Sequence, residues 1–366
     1  NDYAEKYGVL PGYARMKPYN DNDWDYASAF GSVQFNATDY LKFRLGHDNL
    51  FLGEGHRSLF LSDAAFQQLF FQTSIELGKF RFTNLTMQWL NPNFNNLMQW
   101  ETEQSLEGNY RRKTNSINML EYQVSESFRL GLIEAVVFQS YKQDGGFNPH
   151  KLNPLLFVRS AMMGQDGKEN ILLGLDALYS LKNADVYFQL MLDDIQSTNL
   201  SYKNPYNRFG WQIGTRLYDI FGVDNLHVRA EHNYIRALSY ARSDPEMSWT
   251  HYNQNIAHPA GSNLMEFVGI IQYRWRKIPV SLQVNYMQHG DSHNESVMPA
   301  DFNYVGNFIA GDKKQFMFAA AEVGYVINPA WHWVAYAGVS YRHSDDDECW
   351  VRIGTRTNIN RLIRDF

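Results

Sequence analysis

The chain holds a single cysteine, Cys349, in 366 residues, which excludes an internal disulfide and a thiolate zinc site. No stretch approaches the 18 consecutive apolar residues of a membrane-crossing helix, and mean hydropathy is −0.45. A basic stripe is also missing: 39 acidic against 33 basic residues leave a net charge of −6, which argues against a nucleic-acid partner. There is no HExxH, phosphate loop or GxGxxG, so the common metalloprotease and nucleotide routes lack support. Helical periodicity is nearly absent. The chain begins at Asn1 without a signal-peptide pattern, as expected of a processed or truncated product. Large rings are what is abundant: 23 Tyr, 24 Phe and 9 Trp make up 15% of the residues.

Period-2 alternation, the signature of strands, recurs along the whole chain. Ile171, Leu173, Leu175, Ala177, Tyr179 and Leu181 share one face, opposite Asn170, Gly174, Asp176 and Ser180. The next run sets Val186, Phe188, Leu190 and Leu192 against Asp185, Tyr187, Gln189 and Asp193 across a short hairpin at Lys182–Ala184. One apolar and one polar face, repeated in runs long enough to cross a tilted bilayer, predict an all-β, transmembrane antiparallel β-barrel of about 14 to 18 strands. Hydropathy stays low in such a barrel because only alternate residues meet lipid. A lead-in segment over 1–26, a barrel over 27–358 and a tail over 359–366 are expected. One strand is placed at Leu155–Met163, and long loops at Asn91–Asn118, Ser243–Asn263 and His289–Lys314. Tyr26, Phe30, Tyr40, Trp89, Tyr141, Trp331 and Trp333 sit at run ends, as interfacial girdle residues do. A soluble sandwich or propeller also has many short strands, but this alternation persists through too many runs.

Three groups of residues are candidates for a site. The stretch from Gly46 to Asp63 bends on Gly46, Gly53 and Gly55 and brings together His47, Asp48, Glu54, His56, Arg57, Ser58, Ser62 and Asp63. A hydrolase reading of Ser58 or Ser62 with His56 and Asp63 lacks nucleophile-elbow spacing. A metal reading of His47, Asp48, Glu54 and His56 lacks an established ligand spacing. A structural turn with Arg57 held by Asp48 or Asp63 is the favoured expectation, and a turn whose polar groups also meet a ligand is the intermediate one. The second group is a lumen cluster of Arg159, Asp185, Asp193, His227, Arg229, Glu231 and Asn233, in which charges spaced by two face inward and pair across strands or hold a plug. Trp100, Trp249, His251, Tyr252 and Asn253 form the third group, as loop residues able to stack on and hydrogen-bond a sugar or to sit in an interfacial belt. The aspartates at 21, 23 and 25 and at 345–347 lack the glycine and closing glutamate of a calcium loop. No catalytic residue, metal or cofactor is expected.

Several of these segments together carry a family resemblance. Gly46–Asp63, Leu152–Arg159, Asn170–Gly174, Tyr187–Asp193, Arg208–Gly214, Arg229–Arg236 and His251–Glu266 with its Ala257-His258-Pro259 resemble the Wzi-like capsule-assembly family, and within it the gliding motility protein RemB branch. The resemblance implies a non-enzymatic barrel in the bacterial outer membrane that binds or organises capsular polysaccharide. For the branch, it implies an association with surface gliding and type IX secretion. Expected partners are outer-membrane lipid, surface polysaccharide or lipopolysaccharide, and proteins of an outer-membrane complex. The alternatives are a structural subunit of a larger outer-membrane complex, for gliding and type IX secretion or for barrel assembly, and a diffusion porin lined by Arg229, Glu231, Asp185 and Asp193. The chain departs from the family pattern by starting almost directly with the barrel, and Asn360 and Arg364 interrupt the final alternation before Phe366.

Overall fold

The computed structural model describes residues 9–10, 14–19, 23–92, 110–139, 169–195, 198–199, 201, 204, 206–242, 244–252, 254–290 and 308–357. Its strands are β1 (Val9–Leu10), β2 (Ala14–Tyr19), β3 (Asp23–Tyr26), β4 (Gly31–Asn36), β5 (Leu41–Asp48), β6 (Gln68–Leu77), β7 (Phe80–Pro92), β8 (Tyr110–Ser125), β9 (Phe128–Gln139) and β10 (Glu169–Ser180). They continue with β11 (Ala184–Asp194), β12 (Arg208–Tyr218), β13 (Leu226–Ile235), β14 (Thr250–His251), β15 (Gln254–Asn255), β16 (Leu264–Trp275), β17 (Ile278–Gly290), β18 (Lys313–Asn328), β19 (Trp333–His343) and β20 (Asp347–Arg356).

Fifteen of these strands form one sheet in chain order from β4 to β20, interrupted only where β13 pairs directly with β16. The pairings within this sheet are antiparallel. Between β5 and β19 each strand of the sheet is therefore paired on both sides, which is the arrangement a bilayer demands of a spanning sheet. The sheet forms a transmembrane β-barrel, and β1, β2 and β3 make a separate small sheet before it.

The alternation read from the sequence sets the two faces of the wall. Val33, Leu45, Leu69, Phe71, Leu175, Val186, Ile213 and Leu282 point outward and are exposed. On β20 Val351 and Ile353 are 74% and 83% exposed, a surface that only lipid would cover favourably. Tyr26, Phe30, Tyr40, Trp331 and Trp333 are exposed as girdle residues should be. Trp89 is the exception. It is fully buried and points into the lumen, where its indole N–H donates to Gln68 Oε1 at 2.6 Å; the ring count alone could not distinguish an interior tryptophan from a belt one. Tyr141 lies outside the described residues.

One other expectation changes. β7 and β8 extend to Pro92 and from Tyr110, so they take up both ends of the loop expected over 91–118. The strand expected at 155–163 lies outside the described residues, and β9 pairs directly with β10 across that interval.

Connections at one end of the barrel are short, at 37–40, 78–79, 126–127, 181–183, 276–277 and 329–332. At the other end 49–67 and 236–263 are long. Both long segments turn into the barrel and build its core. Leu59, Phe60, Leu61, Trp249 and Ile256 pack with Met87, Trp89, Leu172, Met191, Ile235, Leu264 and Met287 from the wall, all of them buried. A hydrophobic core inside the barrel means that, at this level, side chains rather than water fill the lumen.

Candidate functional site

The segment 49–67 enters between β5 and β6 and crosses to the far wall. Ser58 shapes it: the hydroxyl donates to the Leu52 carbonyl at 2.6 Å and accepts the Phe60 and Leu61 N–H groups at 3.2 and 3.1 Å. Ser62 accepts the Ala64 N–H at 3.1 Å. Both serines are therefore turn-forming residues of the kind that mimic a backbone turn. Gly53 has φ +118°, a backbone region closed to side-chain-bearing residues, and a β-carbon there would run into the Gln189 amide. Gly55 lies so close to Gln212 that a β-carbon would overlap it. On the wall, the absence of a side chain at Gly174 leaves the gap that the Phe60 ring fills.

Two buried carboxylates on the wall hold this segment. Glu231 accepts the backbone N–H of His56 at 2.5 Å and of Arg57 at 3.0 Å, together with the Tyr187 hydroxyl at 2.7 Å and the Asn233 amide at 2.9 Å. Glu266 takes the Arg57 guanidinium through Nε at 3.1 Å and Nη2 at 2.9 Å, with His258 Nε2 at 2.8 Å. Arg57 is thus held by Glu266, not by Asp48 or Asp63 as the sequence suggested. Asp48 instead binds Arg44 at 2.9 Å, and the Asp63 carbonyl accepts from Asn49 at 2.8 Å. An arginine paired with a neighbour in sequence would have left the buried Glu266 without its guanidinium partner, which is costly. The backbone of the segment is bonded on further sides. Gln189 accepts the Leu59 N–H at 2.7 Å, and Gln212 donates to the Arg57 carbonyl at 2.8 Å.

Lower in the lumen, the tip of the segment carries a charge layer. Glu54 is clasped by Arg129 and by Arg216, the latter at 2.9 Å. Arg129 also reaches Glu121 at 3.0 Å, and Arg216 reaches Asp185 at 3.1 Å. Among the expected lumen residues, Glu231 bonds to the segment directly, whereas Asn233 and Asp185 pair with wall residues beside it. Asp193 holds the second inward segment by accepting the Tyr240 N–H at 2.9 Å and pairing with Arg242 at 2.8 Å. His227 and Arg229 line the lumen below, without joining these contacts. Arg159 lies outside the described residues.

The segment 236–263 closes over the first. Trp249 donates its indole N–H to the Phe60 carbonyl at 2.7 Å and packs edge-on against Trp89 at 4.9 Å. The Tyr240 hydroxyl donates to the Leu59 carbonyl at 2.9 Å, and the Ser62 N–H to the Ile256 carbonyl at 2.8 Å. Lys113 and Asn170 on the wall donate to the Ser248 and Met247 carbonyls at 2.6 and 2.9 Å. His251 is buried and accepts the Leu90 N–H at 2.9 Å; burial pushes its pKa down to about 3, keeping the ring neutral. Trp249 and His251 are therefore interior packing residues and not sugar contacts, because their loop folds inward. Tyr252 is half-buried against Phe66 at 5.0 Å, and Trp100 and Asn253 lie outside the described residues.

No metal arrangement forms from the first group. His47 points outward, with Nδ1 at 2.7 Å from the Ala29 carbonyl, while Asp48 points inward to Arg44. Among the described residues no three His, Cys, Asp or Glu side chains come together as metal ligands. Sequence reasoning missed Tyr187, Gln189, Gln212, His258 and Glu266 as plug contacts. The available signal was polar side chains on the inward face of otherwise apolar strands, as at Leu264-Met-Glu266.

No protein family matches the sequence, and no curated protein does. Among solved structures the chain is similar to Wzi, an outer membrane protein involved in group 1 capsule assembly in Escherichia coli and a carbohydrate-binding β-barrel. The TM-score is 0.58 at 12% identity, over 90% of this chain and 69% of that one. Pseudomonas aeruginosa OprD is similar at TM-score 0.47 and 9% identity, over 93% and 83% of the two chains. OccK10 of the same organism gives 0.46 and 12%, over 92% and 85%. The chain has the fold of a bacterial outer-membrane β-barrel and, with its apolar outer belt, resides in that membrane.

Proposed function

We propose that this chain is a non-enzymatic outer-membrane barrel that binds or organises surface polysaccharide, working from its loop end and outer surface. The observation that carries this reading is the filled lumen. Two inward segments are bonded to β7, β8, β10, β11, β12, β13 and β16 around a common hydrophobic core. A barrel so filled is a platform rather than a diffusion path, and the fold it shares with a carbohydrate-binding barrel supports a glycan as the ligand. The serine hydroxyls of the 49–67 turn are engaged in shaping the backbone, which supports a role without covalent chemistry.

The test pairs two measurements on the full chain purified in mild detergent. Binding of capsular polysaccharide and lipopolysaccharide from the native envelope is followed by co-sedimentation, and conductance is recorded in planar bilayers. Polysaccharide binding with a silent bilayer is the expected result. Open-channel currents without polysaccharide binding would make the barrel a porin. Stoichiometric protein partners with no glycan would make it a subunit of a gliding or secretion complex.

A further inference from the structure

Below the plug, at the short-turn end that faces the periplasm in outer-membrane barrels, the lumen opens into a cavity of 420 Å³ between β13, β16, β17, β18 and β20. Its polar lining includes Asn225, His227, Gln272, Arg274, Glu322 and Arg356. The volume falls within the range of about 300 to 1,000 Å³ typical of small-ligand sites. The charges in it do not cancel locally. Arg356 grips Glu322 with both guanidinium nitrogens, at 2.5 and 3.1 Å, and lies over the Tyr336 ring at 4.7 Å. The single carboxylate of the cavity is therefore already taken. Arg274 makes no ion pair and no side-chain hydrogen bond among the described residues, and neither does Arg229 one step deeper on β13. His227 stands edge-on to Tyr218 at 5.3 Å.

We propose that this cavity is a second ligand site, which binds the carboxylate of an acidic sugar residue with Arg274 as its cationic contact. A guanidinium presents a planar fork that matches a carboxylate in two parallel bonds. Gln272 and Asn225, with Ser281 beside them, supply the amide and hydroxyl groups that sugar hydroxyls require. An acidic peptide fits less well: β13, β16, β17 and β18, which carry most of the lining, are paired on both sides, so they offer no free edge for strand addition. The choice of a sugar rests on the polysaccharide reading above. The cavity and its unpaired guanidinium do not.

The test is calorimetric titration of the full chain in detergent micelles with trigalacturonate, alongside a neutral galactose trisaccharide and inorganic phosphate. Trigalacturonate is expected to bind at least tenfold more tightly than the neutral sugar, and Arg274→Gln is expected to weaken it at least tenfold. Polysaccharide binding at the loop end should be unchanged in the same variant, which serves as the check that the barrel is intact. An R274Q protein that binds trigalacturonate like the parent would overturn the proposal, as would a neutral sugar of equal affinity or displacement by equimolar phosphate. If capsular polysaccharide binds but trigalacturonate does not, this inference fails and the surface-glycan function stands. If neither binds, both fail.

Discussion

Replacing Arg57 by methionine tests the plug at its most buried charge. The Arg57 and Glu266 side chains are 2% and 1% exposed and meet through two hydrogen bonds at 2.9 and 3.1 Å. Methionine fills much of the same volume but leaves Glu266 with His258, Asn233 and Asn285 at 2.8, 3.2 and 3.3 Å. Removing one partner of a buried ion pair typically costs about 3 to 5 kcal/mol. The segment is tethered at both ends by wall strands, so this cost should appear as local opening of 49–67 rather than as unfolding of the barrel. At about 1.4 kcal/mol per tenfold, opening should increase by roughly two to three and a half orders of magnitude. Amide hydrogen exchange reads this directly. The Leu59 and Leu61 N–H groups, bonded to Gln189 and to the Ser58 hydroxyl, should lose protection by that factor while amides in β18 and β19 keep theirs. Charge-free replacement of both partners, as Arg57→Met with Glu266→Met, should recover a large part of the loss, because no carboxylate is then left buried alone. Unchanged protection of Leu59 in the single variant would show that the ion pair does not hold the plug, and the reasoning would fail.

Trp249→Ala should destabilise the plug by about 3 to 5 kcal/mol, since the ring is fully buried against Trp89 and donates to Phe60; a urea midpoint equal to that of the parent would refute its placement. The same variant should leave the affinity for trigalacturonate intact, because the lower cavity shares no residue with that packing. Acidification should loosen the 236–263 segment. His251 is pushed down to about 3 in the folded chain, so below its ordinary value of about 6.5 the unfolded chain takes up a proton that the folded one refuses, costing about 1.4 kcal/mol per pH unit down to about pH 3. Between pH 6.5 and 5 this amounts to about 2 kcal/mol, to be read from exchange of the Leu90 amide. His251→Asn should flatten that part of the profile, and an equally steep profile in the variant would assign the effect to another group.

Much of this architecture is legible in the residues because a strand has a period of two. The alternation at Ile171–Leu181 and Val186–Leu192 sets both the strands and their faces, and Asp185, Asp193, Glu231 and Asn233 lie on the inward face as that rule requires. A bilayer outside and a filled lumen inside penalise any other register, since a slip of one residue would exchange the two faces. The direction of the long loops has no such local rule. Whether Trp249 meets a sugar or packs on Trp89 depends on a hydrogen bond to Phe60, 189 residues away in the chain. The partner of Arg57 is Glu266, 209 residues away, in preference to two aspartates within ten residues of it. Sequence spacing by itself determined the wall, its two faces and the inward charges. Only the tertiary structure decided which segments enter the lumen and which carboxylates receive them, because a buried cation pairs where the fold brings a buried carboxylate with matching geometry.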